Sequence, residues 1–490
     1  MDPSTAVREL ASEDLARFLL GRRWFGAKGR APRSVRVHDV IPLFDGTHGI
    51  ARLQVDLDDG RRALYQLPLA LRAADDGAVS SVVATVGEDR RMVLFDAVED
   101  PAFRERLGDA FVNGARFDGD GASWVIAPVA AGSVSLPAGR SRLSGAEQSN
   151  TSIVYGDRAI LKMYRRLEPG DNPDVEIGEF LTTRVGFAHV PALLGTIRFH
   201  DRDGSVSVAG MLQQLVPSRG DGWSYALARF REEVGGAAPA GHRPFRDDAA
   251  RLGEITRALH EALASDPSHP DFAPIPVTDD DLGRWREQVS RQVERALDLL
   301  REHLSRGALA GELRAIAESC VRRGAEALRR SERILESIRG RAGARIRHHG
   351  DFHLGQVLPT ESGDFVVIDF EGEPARPLVE RRQRHSALRD VAGMLRSFSY
   401  AAGAGMRELG GGAPAVRAAE WEESARAAFA RGYLNEPAKL AAFLPAAADD
   451  ARGLVALFEL EKAFYELEYE LQNRPDWVGI PLGGIERLLR

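Results

Sequence analysis

The sequence predicts an α+β protein of two lobes with an additional N-terminal α+β subdomain, and three observations support this. Up to about residue 216 the chain reads mainly as short alternating strands joined by turns. Beyond that point it becomes long stretches at helical spacing, rich in alanine, leucine, arginine and glutamate. Within the helical part, residues 345–373 gather aspartates, histidines and an amide around one short apolar run. At 490 residues the chain exceeds one ordinary domain. The expected division is a cap subdomain at 1–95, a small lobe at 96–216 and a mostly helical large lobe at 217–490.

The opening stretch, MDPSTAVRELASEDLARFLLGRRW, predicts one short capped helix and lacks the basic start and apolar core of a leader. The following Arg22–Arg30, RRWFGAKGR, combines basic residues with glycines in the manner of a phosphate-binding turn. A turn with aromatic anchors at a helix end is the simpler reading. Val35–Val37, Ile50–Val55 and Ala63–Leu67 then alternate like half-buried antiparallel strands.

In the small lobe, Ser144–Ser152 is a small, polar stretch before Ile153-Val154-Tyr155, with Gly156-Asp157 turning the chain into Ala159–Tyr164. A loop of small residues before a strand pair can bring backbone N–H groups onto phosphate oxygens. This makes Ser149, Asn150 and Thr151 candidate nucleotide contacts, although the stretch matches neither glycine-rich phosphate-loop pattern and an ordinary hairpin loop is the default. Lys162 lies inside an apolar strand, where a buried ammonium needs an anionic partner. A helix beginning near Asn172-Pro173 offers Glu176, with Glu179 in reserve. Gly210–Pro217 reads as a strand running into a connection that contains Gln213, Gln214 and Val216.

The large lobe shows helical spacing over Leu252–Ala264, Trp285–Ser305 and Leu313–Ile338. Its arginines between Arg322 and Arg347 alternate with glutamates and lack aromatics, which describes a solvated face and not a nucleic-acid surface. Next come His349-Gly350-Asp351-Phe352-His353, then Gln356, then the apolar Phe365–Ile368 ending at Asp369-Phe370. Phosphoryl transfer from ATP requires positioning and charge neutralisation more than covalent chemistry. Asp351 fits the group that orients the acceptor hydroxyl and takes its proton. Asp369 and Gln356 fit Mg2+ ligation, because that ion takes oxygen donors and few carboxylates. His353, Glu371 and Arg376, close to these positions, are candidate substrate contacts; the basic run that includes Arg376 could equally be a solvated loop. Arg389-Asp390-Val391-Ala392 opens another helix, and the Ala/Gly-rich Ala401–Gly412 reads as a loop. Leu454–Leu471 carries an apolar seam of Leu457, Leu460, Phe464, Leu467 and Leu471 beside a polar line of Glu459, Lys462, Glu466, Tyr469 and Asn473. Sugar recognition needs carboxylates or amides for hydroxyls and an aromatic face for the ring, so Glu466 and Trp477 are candidate sugar contacts; a merely solvated face is the alternative.

The order of these parts resembles the kinase pattern of a catalytic-loop aspartate, a metal-binding amide and a strand-borne metal aspartate. H-G-D-x-H-x-x-Q followed by I-D-F-E-G-E-P resembles the aminoglycoside-phosphotransferase-like sugar kinases, with Gln356 where their asparagine usually stands. With Ala375-Arg376-Pro377 and Leu388–Ser397, and from RRWFGAKGR to NRPDWVGIPL, the chain looks like the bacterial maltokinases. That resemblance implies a two-lobed protein-kinase-like fold with an N-terminal cap. It implies phosphates placed by Lys162 with Glu176, adenine against residues 213–216, and a catalytic loop supported by His349 and Asp390. It also implies ATP and Mg2+ as cofactors, transfer to the anomeric hydroxyl of maltose to give maltose 1-phosphate, and a possible association with a trehalose synthase. Glucosamine kinase and aminoglycoside phosphotransferase are competing activities. A polycationic aminoglycoside calls for a carboxylate-crowded site, and Glu371 and Glu373 are followed closely by Arg376, Arg381 and Arg382. A non-catalytic, kinase-shaped partner of a trehalose synthase is a second alternative.

Composition sets outer bounds. Hydrophobic residues at 44% and charged residues at 28% describe a soluble globular chain. A net charge of −7 gives no general attraction to nucleic acid or anionic lipid. The single cysteine, Cys320, excludes an internal disulfide framework and suits a reducing compartment. No stretch approaches the roughly 18 apolar residues of a membrane span, and a cytoplasmic location is expected.

Overall fold

The computed structural model describes every residue except 27–30, 78, 88–89, 131, 133, 138, 146–149, 237–240, 242, 374–375, 411–414 and 435–440. The chain divides into two compact units, residues 1–184 with 191–217 and residues 185–190 with 218–490.

The first unit begins with two helices where the sequence predicts one, α1 (Pro3–Arg8) and α2 (Ser12–Leu20). Asp2 caps α1 by accepting from the N–H groups of Ser4 and Thr5, and Pro3 stands in its first turn. Five antiparallel strands follow, β1 (Pro32–Leu43), β2 (His48–Leu57), β3 (Arg62–Ala73), β4 (Val82–Val86) and β5 (Met92–Asp96), in the order β1-β2-β3-β5-β4. Val7, Leu15, Phe18 and Leu19 from the helices pack with Trp24 and Phe25 against this sheet. These two aromatics anchor the stretch after α2, and Lys28 and Arg30 lie outside the described residues.

Helix α3 (Pro101–Asn113) leads to a second antiparallel sheet made of β6 (Ala115–Asp118), β7 (Ala122–Pro128), β8 (Ser141–Leu143), β9 (Asn150–Tyr155), β10 (Ala159–Tyr164), β12 (Leu193–Asp201) and β13 (Val206–Gln214). Its order is β6-β7-β12-β13-β10-β9-β8. Ile41, Ile50 and Phe95 of the first sheet share one core with Trp124, Ile153, Leu161, Met163 and Phe199 of the second. The expected boundary near residue 96 therefore falls inside a common core. The two-residue strand β11 (Arg166–Leu167) continues from β10 and pairs with β3, so the two sheets are also joined through the backbone. Gln66 of β3 donates its amide N–H to the carbonyls of Tyr164 and Ala209 at 2.7 and 2.5 Å. Helix α4 (Pro173–Glu179), capped by Asn172, ends in a π-helical turn, Phe180–Val185.

The second unit is mostly helical, with α5 (Gly222–Val234), α6 (Phe245–Leu263), α7 (Asp279–Ser305), α8 (Gly311–Ser337), the short α9 (Leu378–Arg381), α10 (Leu388–Glu408), α11 (Ala415–Leu434), α12 (Ala448–Asn473) and α13 (Gly479–Leu489). Two short antiparallel pairs join these helices, β14 (Ile275–Pro276) with β15 (Ala344–Arg345) and β16 (Val357–Pro359) with β17 (Phe365–Val367). The segment 185–190 belongs here because the His189 carbonyl accepts from Val367 N at 2.8 Å and its imidazole bonds the Phe365 carbonyl at 3.0 Å. The loop expected at 401–412 is instead helix as far as Glu408. The small residues there serve close packing, since a Cβ on Gly405 would lie 2.2 Å from the Phe230 ring. Cys320 is buried in α8, and burial pushes its thiol up to about 12, which leaves it an inert packed group. Among the described residues no helix is long and apolar enough to cross a membrane.

Candidate active site

The stretch that carries Asp351 is shaped by one buried carboxylate. Asp390, in the first turn of α10 and 2% exposed, accepts the backbone N–H of His349 at 2.7 Å on one oxygen and that of Gly350 at 3.0 Å on the other. Its Oδ2 also accepts from His260 Nε2 at 3.0 Å, and His260 Nδ1 meets the Tyr433 hydroxyl at 2.9 Å. Burial alone would raise the Asp390 carboxyl; the neighbouring His348 and the His260 bond outweigh it and hold the group below the usual carboxylate range. The chain then turns through Gly350 at φ +83°, a left-handed conformation that glycine adopts without a Cβ clash. His349 is itself buried, donates Nε2–H to the Ile368 carbonyl at 3.0 Å and sits between the rings of Phe352 and Phe370. It thereby ties the loop to the chain that follows β17. Leu354 N donates to Ser397 Oγ at 3.0 Å, fixing the far end of the loop to α10.

Asp351 stands on this frame. His353 accepts from Gly355 N at 3.0 Å, capping the turn Leu354–Gln356, and its Nε2 lies 3.9 Å from Asp351 Oδ2. Burial lowers the His353 pKa and the Asp351 charge partly restores it. Gln356 Nε2 donates to Asp369 Oδ2 at 2.8 Å, while Ile368 N donates to the Gln356 carbonyl at 3.0 Å. The two residues predicted as Mg2+ ligands are thus neighbours. Asp369 has φ +68°, and a non-glycine residue held there is under local strain of the kind found at ligand clamps. Its carboxylate and that of Glu371 have oxygens within 4.8 Å of each other. Gln356 with these carboxylates supplies hard oxygen donors suited to Mg2+.

Asp351 and His353 also line a cleft of about 1100 Å³ within the second unit. Opposite them one face of α12 contributes Phe458, Glu461, Lys462, Tyr465, Glu466, Tyr469 and Glu470, spaced by three and four residues as neighbours on a helix surface must be. The cleft carboxylates of this region are paired with arginines. Glu373 meets Arg376 at 2.8 Å, Glu461 meets Arg389, Glu466 meets the buried Arg396 at 2.7 Å and Glu470 meets Arg474 at 2.6 Å. Trp477 stacks on Tyr400, ring centroids 6.3 Å apart and 16° from parallel, and gives the cleft an aromatic wall.

Of the predicted substrate contacts, His353, Arg376, Glu466 and Trp477 line the cleft, whereas Glu371 lies with Asp369 and outside the lining. Glu466 faces the cleft from within its bond to Arg396. The expected polar line on α12 is corrected at two positions: Glu459 is buried against Arg426, and Asn473 bonds back to the Tyr469 carbonyl.

In the first unit Lys162 is 9% exposed and pairs with Asp174 at 3.1 Å. Glu176, to which the sequence pointed, lies on the same helix, two residues beyond Asp174. Glu179 is on the surface, 3.8 Å from Arg198. Asn150 and Thr151 open β9, Thr151 Oγ1 accepting from Arg165 at 2.7 Å, and Ser149 lies outside the described residues. Gln213 and Gln214 close β13, and Val216 follows in the connection.

The sequence did not single out His260, Ser397, Tyr400, Arg389, Arg396 or Tyr465. His260 had a readable signal, a histidine at helical spacing on the face of α6 that carries Leu252, Ile255 and Leu259. The arginines had none, because nothing local distinguishes a buried arginine from the many solvated ones.

Residues 18–100 match the maltokinase N-terminal cap domain. Glucosamine kinase of Mycolicibacterium smegmatis is 28% identical over 348 residues, spanning 70% of this chain and 78% of that one. Glucosamine kinase of Streptacidiphilus jiangxiensis is 28% identical over 342 residues, spanning 68% and 70%. A solved glucosamine kinase in complex with glucosamine, ADP and inorganic phosphate superimposes with a TM-score of 0.68 at 21% identity, covering 99% of this chain and all of that one. The chain therefore has the two-lobed kinase-like fold, preceded by a cap domain of the maltokinase type.

Proposed function

We propose that this protein is an ATP-dependent sugar kinase that phosphorylates the anomeric hydroxyl of maltose to give maltose 1-phosphate. The observation that carries the proposal is the position of Asp351 at a cleft walled by aromatic rings, where Glu373, Glu461, Glu466 and Glu470 are already bonded to arginines. Such a wall offers hydrogen bonds and ring faces to a neutral polyol and leaves these four carboxylates no free charge for a polycation. At about 1100 Å³ the cleft slightly exceeds the roughly 300–1,000 Å³ that encloses a drug-sized ligand, so more than one sugar ring has room. The anomeric position and maltose itself come from the motif resemblance and agree with the cap-domain match.

In this mechanism Asp351 accepts the proton of the acceptor hydroxyl as its oxygen bonds the γ-phosphorus of ATP. The bond from that phosphorus to the β–γ bridging oxygen breaks, and ADP departs with the electron pair. Gln356, Asp369 and Glu371 would hold Mg2+, which when bound neutralises charge on phosphate oxygens. Lys162, oriented by Asp174, supplies an ammonium to the phosphates. Asp390 and His349 hold the loop so that Asp351 keeps its position.

Glucosamine is the second reading, favoured by the two relatives at 28% identity. Initial rates of ADP release with maltose, glucose, glucosamine and kanamycin separate the readings. The proposal predicts that kcat/KM for maltose exceeds that for glucosamine by at least about tenfold, some 1.4 kcal/mol of transition-state discrimination. The opposite order would overturn the substrate and keep the kinase, and a lack of sugar-dependent ADP release would favour the non-catalytic alternative.

A further inference from the structure

We propose that Lys462 sets the charge of the acceptor, donating to sugar hydroxyls beside Asp351 and excluding acceptors that carry a protonated amine; this rests on the sugar-kinase reading. The first observation is compositional. Of 65 basic residues only Lys28, Lys162, Lys439 and Lys462 are lysine. Lys28 and Lys439 lie outside the described residues, so the two described lysines are the one paired with Asp174 and the one on the cleft face of α12. In a chain that otherwise uses arginine, these positions carry a compact, three-donor ammonium in place of a planar fork.

The second observation is geometric. The neighbouring cleft cations Arg376, Arg389 and Arg474 are each bonded to a carboxylate. Lys462 makes no hydrogen bond or ion pair among the described residues; its Nζ rests 4.8 Å from the centroid of the Tyr465 ring. Glu373 and Glu466 feel its charge, and each is already held by an arginine. The free charge on this wall is therefore positive. An uncommitted ammonium can satisfy several hydroxyl oxygens at once, and it repels a second ammonium bound at the same place.

The test compares the wild type with Lys462→Met and Lys462→Arg, using maltose, N-acetylglucosamine and glucosamine as acceptors at saturating ATP. The expected result is a rise of at least about tenfold in the ratio of kcat/KM for glucosamine to kcat/KM for the neutral sugars in Lys462→Met. Lys462→Arg should hold the ratio close to the wild-type value. KM for ATP should stay within about twofold throughout. A residue with only a structural role would lower all acceptors alike, so an unchanged ratio would overturn the assignment. A wild type that prefers glucosamine would overturn the maltose proposal, while the Lys462 proposal would still require the ratio to rise in Lys462→Met. Absence of turnover on every sugar would overturn both.

Discussion

At the scale of single residues the proposed reaction rests first on Asp351. Asp351→Asn keeps the shape of the carboxylate and removes its basicity, so kcat should fall by roughly 10² to 10⁴-fold while nucleotide affinity, measured by calorimetry, stays near wild type. Undiminished turnover would contradict the assignment. Asp390→Ala leaves His260 and two backbone N–H groups without their shared acceptor. A loss of ~3–5 kcal/mol in urea unfolding is expected, as for breaking other buried charged contacts. Burial also lowers His348, to about 4, and moves His353 and His385 in the same direction. These imidazoles are neutral when folded, whereas the unfolded chain binds protons below the ordinary 6.5. Stability is thus expected to fall as pH drops from about 6.5 towards about 4, before the depressed Asp390 contributes its own loss below its ordinary 3.8. Melting temperature followed across that range should decline in the wild type and less steeply in His348→Gln; equal slopes would contradict this. Asp351, Gln356 and Asp369 could be proposed from sequence because phosphoryl transfer would need those groups in that order. Ser397 could not, since its importance lies in the backbone N–H of Leu354 that it accepts, and His260 had only its helical spacing to mark it.

Helix α10 serves the site as an element because it carries a glycine where it meets the loop. A Cβ on Gly393 would lie 2.6 Å from the Phe352 carbonyl, so Gly393→Ala must push the loop next to Asp351. A misplacement approaching 1 Å costs on the order of 10²-fold in rate, and kcat should drop by that order with KM for ATP little changed. Helices α10 and α12 are joined by the Arg396–Glu466 bond, with Arg396 1% exposed. Arg396→Met alone should destabilise by ~3–5 kcal/mol and leave an unpaired buried carboxylate, whereas Arg396→Met with Glu466→Leu should recover most of that loss. No recovery in the double variant would show that the pair matters through packing and not through charge. The apolar seam of α12 was legible because a 3.6-residue period survives in the sequence, and Leu457, Leu460, Phe464, Leu467 and Leu471 are all buried. Its other face was only partly legible. Glu459 and Glu466 share a side in any helical projection, and only the neighbouring helices decide that one meets Arg426 and the other Arg396. The Ala/Gly run of α10 misled for a related reason: small residues that look like a loop in one dimension are where helices approach most closely.

At the scale of the whole molecule, the cap and the strands that follow it are parts of one unit. Arg165 is 1% exposed, bonds Asp96 at 2.7 Å and Thr151 at 2.7 Å, and lies over Trp24 at 4.7 Å, in addition to the core shared by the two sheets. Removing residues 1–100 would expose that core, so the truncated chain should not be recovered as a folded protein, and calorimetry of the intact chain should show no separate cap transition. A soluble truncation with native-like stability would contradict this. The fold class was legible in the change from strand to helix periodicity and in the motif order; the merging of the first two regions was not, because the joining residues are far apart in sequence. Phosphorus NMR of maltose incubated with ATP, Mg2+ and the intact protein tests the proposed reaction: an anomeric phosphate resonance, coupled to the sugar's anomeric proton, is expected to grow with ADP. A resonance assigned to phosphate at any other carbon, or ATP unchanged in the presence of maltose, would contradict it.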